Sequence, residues 1–220
     1  MAERKRPRRT RERILETSLA LFNRFGEPNI TTANIADEMN ISPGNLYYHF
    51  RNKDQIVGEL YELLEARLAP LFTLPSGRTS GVEDLWFMLH LLFEEMRAFR
   101  FFYRDLIELT SRNRRIGTRF AALTHRGEST VIELCRGMMH AGTMRASERE
   151  IVAVAQNVAI VATYWMSFQR TTHPPPPGRP ADDAADMSLD RAAYQVLALI
   201  APFTVGEARE LIARLGEQYL

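Results

Sequence analysis

Residues 31–53 read TTANIADEMNISPGNLYYHFRNK, and they contain two short helix patterns joined by a tight turn. The first pattern begins near Thr31 and places Ile35, Ala36 and Met39 on one side, where they can be buried. Asn40 follows directly, and asparagine tolerates the left-handed backbone of a chain reversal better than most residues do. We therefore predict one short helix that ends in a sharp turn.

The second pattern is a short amphipathic helix with an unusually polar outer face. Ser42 is a favoured N-cap, and Pro43 is a favoured first helical residue because its missing N–H would have no partner there anyway. At about 100° per residue, Leu46 and Phe50 fall with Pro43 on the inner side. The outer face and its flanks carry Gly44, Asn45, Tyr47, Tyr48, His49 and Arg51.

Two helices joined by so short a turn match the helix-turn-helix unit, whose second helix enters the major groove of DNA. The alternative is an ordinary helical hairpin inside a bundle core. A core hairpin would not place so much hydrogen-bonding surface on one short helix, so we favour the DNA-binding interpretation.

The same residues resemble the DNA-binding signature of the TetR/AcrR family, the tetracycline-repressor-type transcriptional regulators. The resemblance rests on Ile35-Ala36 and on the run ISPGNLYYHFRNK at 41–53, and it is specific over about residues 11–61. Family members commonly have alanine-glycine where this chain has Met39-Asn40. The resemblance implies an all-α fold, with an N-terminal three-helix DNA-binding domain followed by a helical bundle for effector binding and dimerisation.

The resemblance also implies a role for each position of the signature. Expected phosphate contacts are Thr32, Tyr47, His49 and Lys53. Expected contacts to base edges are Pro43, Gly44 and Asn45, and Tyr48 could serve either role. Phosphate contacts fix register, whereas base contacts specify sequence, and an asparagine can pair bidentately with adenine.

Positive charge is concentrated at the start of the chain. The net charge is only +1, but residues 1–13 hold seven Arg or Lys against two Glu, so the rest of the chain carries −4. A basic arm before a helix-turn-helix can follow phosphates or enter the adjacent minor groove. A merely solvated tail is an equal alternative for residues 3–5, and we expect DNA contacts from Arg8, Arg9 and Arg11.

The remaining pattern is helical throughout, which predicts an all-α fold. On the family resemblance, the DNA-binding domain is expected at 1–53 and an effector-binding and dimerisation domain at 54–220. Helices are predicted at 10–25, 55–71, 82–96, 99–111, 116–140 and 147–171, and one or two more follow residue 188. The proline run at 174–178 reads as an extended connector rather than a polyproline ligand.

Dimerisation and effector binding are expected on the family's pattern. One short recognition helix reads too few base pairs, so two subunits should place their helices about 34–36 Å apart on a palindromic operator. Apolar and aromatic residues of the middle helices would enclose a small-molecule effector of apolar or acyl type, as a fainter similarity to regulators of fatty-acid or polyhydroxyalkanoate metabolism suggests. Candidate effector contacts are Trp86, His90, Phe93, Phe102, Tyr103, Phe120, Cys135, Met138, Asn157 and Tyr164, and His125 is a further polar candidate.

Other classes of protein find little support in the sequence. The uncharged stretch 151–168 is at the lower length limit for a membrane span and holds Gln156 and Asn157, so we expect a packed helix and no membrane partner. No secretory signal is visible and the single cysteine cannot form an internal disulfide, which indicates a cytoplasmic protein. No nucleophile, phosphate-loop or metal-site pattern occurs, so no enzyme activity, cofactor or metal is expected. The rival hypothesis is a helical small-molecule-binding protein or enzyme whose basic arm is incidental.

Overall fold

The computed structural model describes residues 6–74, 81–174 and 182–220, and their regular secondary structure is helical. The helices are α1 Arg6–Phe25, α2 Thr32–Glu38, α3 Pro43–His49, α4 Lys53–Leu68, α5 Val82–Ala98, α6 Arg100–Arg104, α7 Leu106–Arg112, α8 Arg114–His140, α9 Glu148–Thr172, α10 Asp182–Ile200 and α11 Glu207–Glu217. Short 3₁₀ turns occur at Glu27–Asn29, Ala69–Phe72 and Ala201–Phe203. The predicted all-α class is therefore confirmed.

The local signals of the helix-turn-helix are confirmed. The Ser42 hydroxyl accepts a hydrogen bond from the Asn45 N–H at 3.2 Å, which makes it the N-cap of α3, and Pro43 is the first helical residue. Asn40 has a φ of 53°, in the left-handed region predicted for the turn. Thr31 caps α2 in a reciprocal arrangement with Asn34.

The first helix is longer than predicted. It begins at Arg6 rather than at residue 10, and it ends at Phe25, where Gly26 has a φ of 90° and closes the last turn. A proline in the first turn does not prevent a helix, and arginines are good helix formers, so the described basic residues, 6–13, belong to α1 instead of preceding it. The side chains of residues 6–8 lie outside the described part of the chain.

The predicted helix at 99–111 is two helices. The chain breaks at Asp105, whose carboxylate accepts a hydrogen bond from the backbone N–H of Glu27 at 3.2 Å. This break turns α7 so that its end, Arg112, also reaches Glu27. The break at Asp105 therefore allows two contacts with Glu27, which join the N-terminal helices to the rest of the protein.

A single buried cluster runs from the N-terminal helices into the larger bundle. Ile14, Phe22, Leu46 and Phe50 are fully buried among α1, α3 and α4, and the cluster continues through the fully buried Phe101 of α6. The predicted domain boundary between residues 53 and 54 falls in the first turn of α4, so one helix belongs to both parts. That boundary stays a prediction.

Helix α9 satisfies the length and apolarity of a membrane span, and among the described residues it is the only helix that does. It packs against α8 and α10, and Ile151, Val154, Ala155 and Val158 are buried there. Such burial is ordinary for a core helix of a bundle. Apart from Pro174, the predicted connector at 174–178 lies outside the described residues.

Candidate nucleic-acid interface and effector cavity

The outer face of α3 is open to solvent. Tyr48 is 79% exposed and Tyr47 51% exposed, whereas Leu46 and Phe50 have no exposed surface. Gly44 and Asn45 are exposed at the start of the helix, as is the N-terminal Pro43. The predicted division between a buried and an exposed face is confirmed for Leu46 and Phe50, but it is wrong for Pro43, which is predicted on the inner side and is exposed at the N-terminal end of the helix.

Two hydroxyl groups meet where α2 and α3 approach each other at the surface. The Thr32 hydroxyl lies 3.0 Å from the Tyr47 hydroxyl, so the pair can share one hydrogen bond and still offer a donor outward. The half-buried His49 ring lies edge-on to the Tyr48 ring, with centroids 5.1 Å apart. The Thr32–Tyr47 contact is exposed, and side-chain hydroxyls are among the groups that bind DNA phosphates.

Arg11 acts inside the N-terminal helices. Its guanidinium donates to the backbone carbonyl of His49 and to the carboxylate of Glu59, and it lies 4.2 Å from the centroid of the Phe50 ring. Arg11 therefore joins α1 to the end of α3 and to α4 while part of it stays exposed. Arg9 is exposed, and the Arg8 side chain is outside the described residues.

Lys53 differs from the expected phosphate contact. Its ammonium donates to the carbonyls of Glu27 at 2.9 Å and Ile30 at 3.0 Å, and it pairs with the Glu27 carboxylate at 3.1 Å. These three oxygens match the three donors of an ammonium group. A phosphate contact by Lys53 stays a prediction, and it requires the ammonium to exchange at least one of these partners.

Glu27 is the centre of this polar junction. Its carboxylate has no exposed surface, and its Oε1 atom also pairs with Arg112 of α7 at 2.7 Å. Its Oε2 atom is buried without a hydrogen-bond partner. Arg112 lies 3.1 Å from the exposed Asp54 carboxylate as well. One buried carboxylate thus links the turn after α1 to the beginning of α4 and the end of α7.

A second set of polar contacts joins α1 to α6. The Asn23 side chain donates to the Ala98 carbonyl at 2.8 Å and accepts from the Phe101 N–H at 3.0 Å. Arg104 donates to the Phe22 carbonyl at 2.6 Å. Burial raises the pKa of Asp105 above its ordinary value, and the neighbouring Arg104 opposes that shift. The N-terminal helices are thus fixed to the bundle through side chains that sequence patterns do not reveal.

A small, partly open cavity lies between α4, α5, α8 and α9. Its volume is about 60 Å³, and its lining is mostly aliphatic and aromatic. The lining residues are Leu68, Phe72, Met88, Leu89, Leu92, Met96, Tyr103, Phe120, Leu123, Thr124, Gly127, Glu128, Val131, Ala155, Val158, Ala159, Ala162 and Thr163.

A wider groove adjoins the cavity at the surface between α7, α8 and α9. Its volume is about 610 Å³. The groove and the cavity share five lining residues, which are Phe120, Thr124, Glu128, Ala159 and Thr163. Leu106, Ile107 and Thr110 line it from α7. Helix α7 therefore both lines the groove and carries Arg112.

The predicted effector contacts divide into several groups. Tyr103 and Phe120 line the cavity, and Phe120 and Tyr164 line the groove. Except for His125, the other predicted residues line neither of these two spaces, and an effector contact by them stays a prediction. Fully or almost fully buried in the core are Phe93, Phe102, Cys135 and Met138.

The remaining predicted contacts pack away from the cavity for identifiable reasons. Trp86 stacks on His90 with ring centroids 5.4 Å apart, and His90 lies 3.5 Å from the Tyr219 hydroxyl of the C-terminal segment. Asn157 is exposed on α9. His125 is exposed and lines only the groove. Burial raises the pKa of Cys135 to about 11, which makes this thiol unreactive as a nucleophile.

Sequence reasoning missed the polar residues of the cavity wall, Thr124, Glu128 and Thr163. A signal for one of them was present. Phe120, Thr124 and Glu128 follow each other at intervals of four, so Glu128 lies on the inner stripe of α8. A charged residue on an otherwise apolar stripe is unusual and points to a functional position.

Comparison with known proteins agrees with this geometry. Residues 63–212 match the family described as "TetR: Bacterial transcriptional repressor", and residues 14–60 match "Bacterial regulatory proteins, tetR family". A crystal structure of a TetR-family transcriptional regulator from Marinobacter aquaeolei VT8 is 36% identical in sequence, with a TM-score of 0.83 over 96% of this chain and 98% of that one. The chain belongs to the TetR family of bacterial transcriptional regulators.

Two curated relatives are similar over a short stretch of the chain. The probable acrEF/envCD operon repressor of Escherichia coli K12 is 38% identical over 53 residues, 24% of each chain. The HTH-type transcriptional regulator AcrR of Shigella flexneri is 32% identical over 62 residues, 28% of this chain and 29% of that one. The match spans about a quarter of these relatives' length. Membership of the TetR family makes this protein a DNA-binding transcriptional regulator rather than an enzyme.

Proposed function

We propose that this TetR-family protein is a cytoplasmic, homodimeric repressor that binds a palindromic operator and releases it when a small, apolar or acyl-type effector binds. The observation that supports this most is the exposed face of α3. It offers an amide, a glycine backbone and two tyrosines on a helix whose inner face is completely buried. A short helix with that division is suited to the major groove.

Base reading is assigned to the N-terminal end of α3, and phosphate binding to its flanks. The exposed Asn45 amide can pair bidentately with adenine, and Gly44 and Pro43 allow close approach of the backbone. The Thr32–Tyr47 hydroxyl pair, with His49, fixes the register on the phosphates. Arg9 extends the positive surface along α1, and Arg11 holds the end of α3 in place.

Dimerisation is assigned to the outer face of α9 together with α10. Ile160 and Phe168 are 56% and 53% exposed there, and Tyr164 between them is 45% exposed. These residues are spaced four apart, so they form one apolar stripe along the helix. Large exposed apolar stripes on soluble proteins mark interaction surfaces.

The effector is assigned to the cavity and the adjoining groove. Ligand pockets commonly measure about 300–1,000 Å³, whereas the small cavity measures about 60 Å³. An effector must therefore occupy the groove and displace part of the wall that separates it from the cavity. Displacement of α7 or α8 then becomes the first event of the response.

Two connections carry that displacement to the DNA-binding helices, and both end at Glu27. Helix α4 lines the cavity at Leu68 and holds Glu27 through Lys53. Helix α7 lines the groove at Ile107 and holds Glu27 through Arg112. A population shift between two arrangements of these contacts would change the spacing of the recognition helices in the dimer, so that they no longer match successive grooves.

Binding to a duplex enriched from a random pool tests the proposal. Fluorescence anisotropy should give a dissociation constant at least about a thousandfold lower for this duplex than for a shuffled one, and the affinity should fall steeply between 50 and 200 mM salt. Equal affinity for both duplexes would mean that the basic surface binds DNA without reading it.

Sedimentation equilibrium tests the dimer surface. Phe168→Glu on α9 should yield monomers that bind the duplex weakly. Phe87→Glu on α5 is the matched control, because Phe87 is similarly exposed, at 56% against 53% for Phe168, but lies outside the proposed interface. Dimers of the Phe168→Glu protein that are as stable as those of the control would contradict the assignment.

A further inference from the structure

We propose that the effector is a cation with an apolar body, and that Glu128 is the counter-ion for its ammonium group. This inference rests on the proposed function and narrows the chemical class of its effector. It is carried by the position of one carboxylate and by the charges of the walls around it.

Glu128 lies where the small cavity and the surface groove meet. It lines both spaces, and its side chain is 19% exposed. Its Oε2 atom lies 3.4 Å from Nδ1 of His125, a residue of the same helix whose side chain is 79% exposed. A carboxylate in such a position loses much of its hydration, and a positive partner restores the lost interaction.

The described walls of the cavity and of the groove carry a negative charge and no lysine or arginine. Among the described residues that line the cavity or the groove, Glu128 is the only acidic side chain, and none is Lys or Arg. A ligand with a free carboxylate would therefore meet a like charge and no Lys or Arg among these described residues, whose one histidine, His125, already faces Glu128. An ammonium group would meet its opposite charge in a water-poor wall, where such pairs are strongest.

The neighbouring polar groups favour a hydrogen-bond donor. The Thr124 hydroxyl donates its proton to the Phe120 carbonyl at 3.0 Å, so its oxygen is left as an acceptor towards the space it lines. The rings of Phe120 and Tyr103 line the same cavity, and aromatic faces attract cations within about 6 Å. An acyl-type effector fits this site when its carboxylate is masked or when it carries a cationic head group.

Three ligands with one alkyl chain test the head group directly on the full-length protein. Octylamine is protonated at pH 7, octanol is neutral and octanoate is negative, so calorimetric titration of the wild type compares charge at constant chain length. We expect octylammonium to bind at least about tenfold more tightly than octanol, since a hydrogen bond between two charged groups is stronger than one between neutral groups. Octanoate should bind most weakly.

Glu128→Gln keeps the shape of the side chain and removes its charge. It should abolish the preference for octylammonium and leave octanol binding unchanged. Glu133→Gln is the matched control, because Glu133 belongs to the same helix, is 57% exposed and pairs with Arg136 outside both spaces. Thermal unfolding of both variants verifies that they are folded.

The proposal is overturned if wild-type protein binds octanoate or octanol as well as octylammonium, or if Glu128→Gln retains the preference. The head-group series in the wild type decides the question even if a variant unfolds. Operator binding is measured in parallel. Loss of sequence preference for DNA with an intact ammonium preference would refute only the proposed function, and the reverse result would refute only this inference.

Discussion

Replacement of Arg112 by methionine tests whether the Glu27 junction fixes the DNA-binding helices to the bundle. Methionine keeps an apolar stem of similar length, so the change removes chiefly the guanidinium. The Glu27 carboxylate would keep Lys53 but lose its contact of 2.7 Å with Arg112, and its Oε2 atom already lacks a partner. The buried Glu27 carboxylate would thus lose one of the two positive charges that stabilise it.

The expected loss of unfolding free energy is about 2–3 kcal/mol. Removing one partner of a buried pair costs about 3–5 kcal/mol. The loss here is smaller because Arg112 is 35% exposed and because Lys53 remains in place. For a protein of this size we expect the melting temperature to fall by roughly 5–10 °C.

Urea unfolding followed by circular dichroism measures this loss, at one fixed protein concentration because a dimer's stability depends on it. Arg115→Met is the matched control, since Arg115 is 78% exposed and its pair with Glu62 lies at the surface. The control should lose at most about 1 kcal/mol. Equal losses in the two variants would refute the account of a buried junction.

A double-mutant cycle with Glu27→Gln isolates the pair itself. In the Glu27→Gln background, Arg112→Met should cost at least about 1 kcal/mol less than in the wild type, because the partner charge is already absent. Additive losses would mean that Arg112 stabilises the protein through packing alone.

Three further outcomes follow from individual residues. Gly58→Ala in α4 should stabilise the protein by about 0.5–1 kcal/mol, because an added Cβ meets nothing within 4 Å, whereas Gly117→Ala in α8 should destabilise it by about 1–3 kcal/mol, because the Cβ would lie 3.0 Å from a backbone oxygen of α7. Urea unfolding measures both, and the same sign for both changes would contradict the packing described. Asp105→Asn should change the pH dependence of stability. Burial raises the pKa of this carboxyl, so the folded state binds its proton more tightly and the contribution present near about pH 4 is lost as the pH rises through the raised pKa. Relative to the variant, the wild type should therefore lose stability as the pH rises from about 4, and a slope of the opposite sign would disprove this. Lys53→Met should lower stability by about 1–3 kcal/mol, and it should reduce the salt dependence of DNA binding by about one unit per headpiece only if the ammonium leaves Glu27 for a phosphate. Unchanged stability in urea would show that the contacts of Lys53 are dispensable.

The DNA-binding helices could be predicted because their signals are local. Ser42 caps the helix that follows it, Asn40 permits the turn that precedes it, and the spacing of Leu46 and Phe50 defines the inner face. Each of these effects acts within one or two turns of chain, where sequence order and spatial order coincide.

The junction and the cavity could not be predicted because they depend on distant residues. Glu27 and Arg112 are 85 positions apart, and neither belongs to a pattern that would indicate the other. The family's motif led to the prediction that Lys53 contacts a phosphate. It gave no sign that the buried Glu27 carboxylate would lie close enough to pair with the Lys53 ammonium. Similarly, the aromatic content of the middle helices indicated a cavity but did not identify the residues that line it. Phe93 and Phe102, for example, are buried in the core instead.

The central claim is that the outer face of α3 reads a base sequence. Selection from a random pool of duplexes by the wild type and by Asn45→Ala, side by side, tests it most directly. The wild type should enrich a symmetric sequence whose half-site centres lie about one helical turn, or a multiple of it, apart. The variant should retain that spacing but tolerate other bases at one position in each half-site. A wild-type pool with no enriched sequence, or an identical sequence from both proteins, would contradict the account.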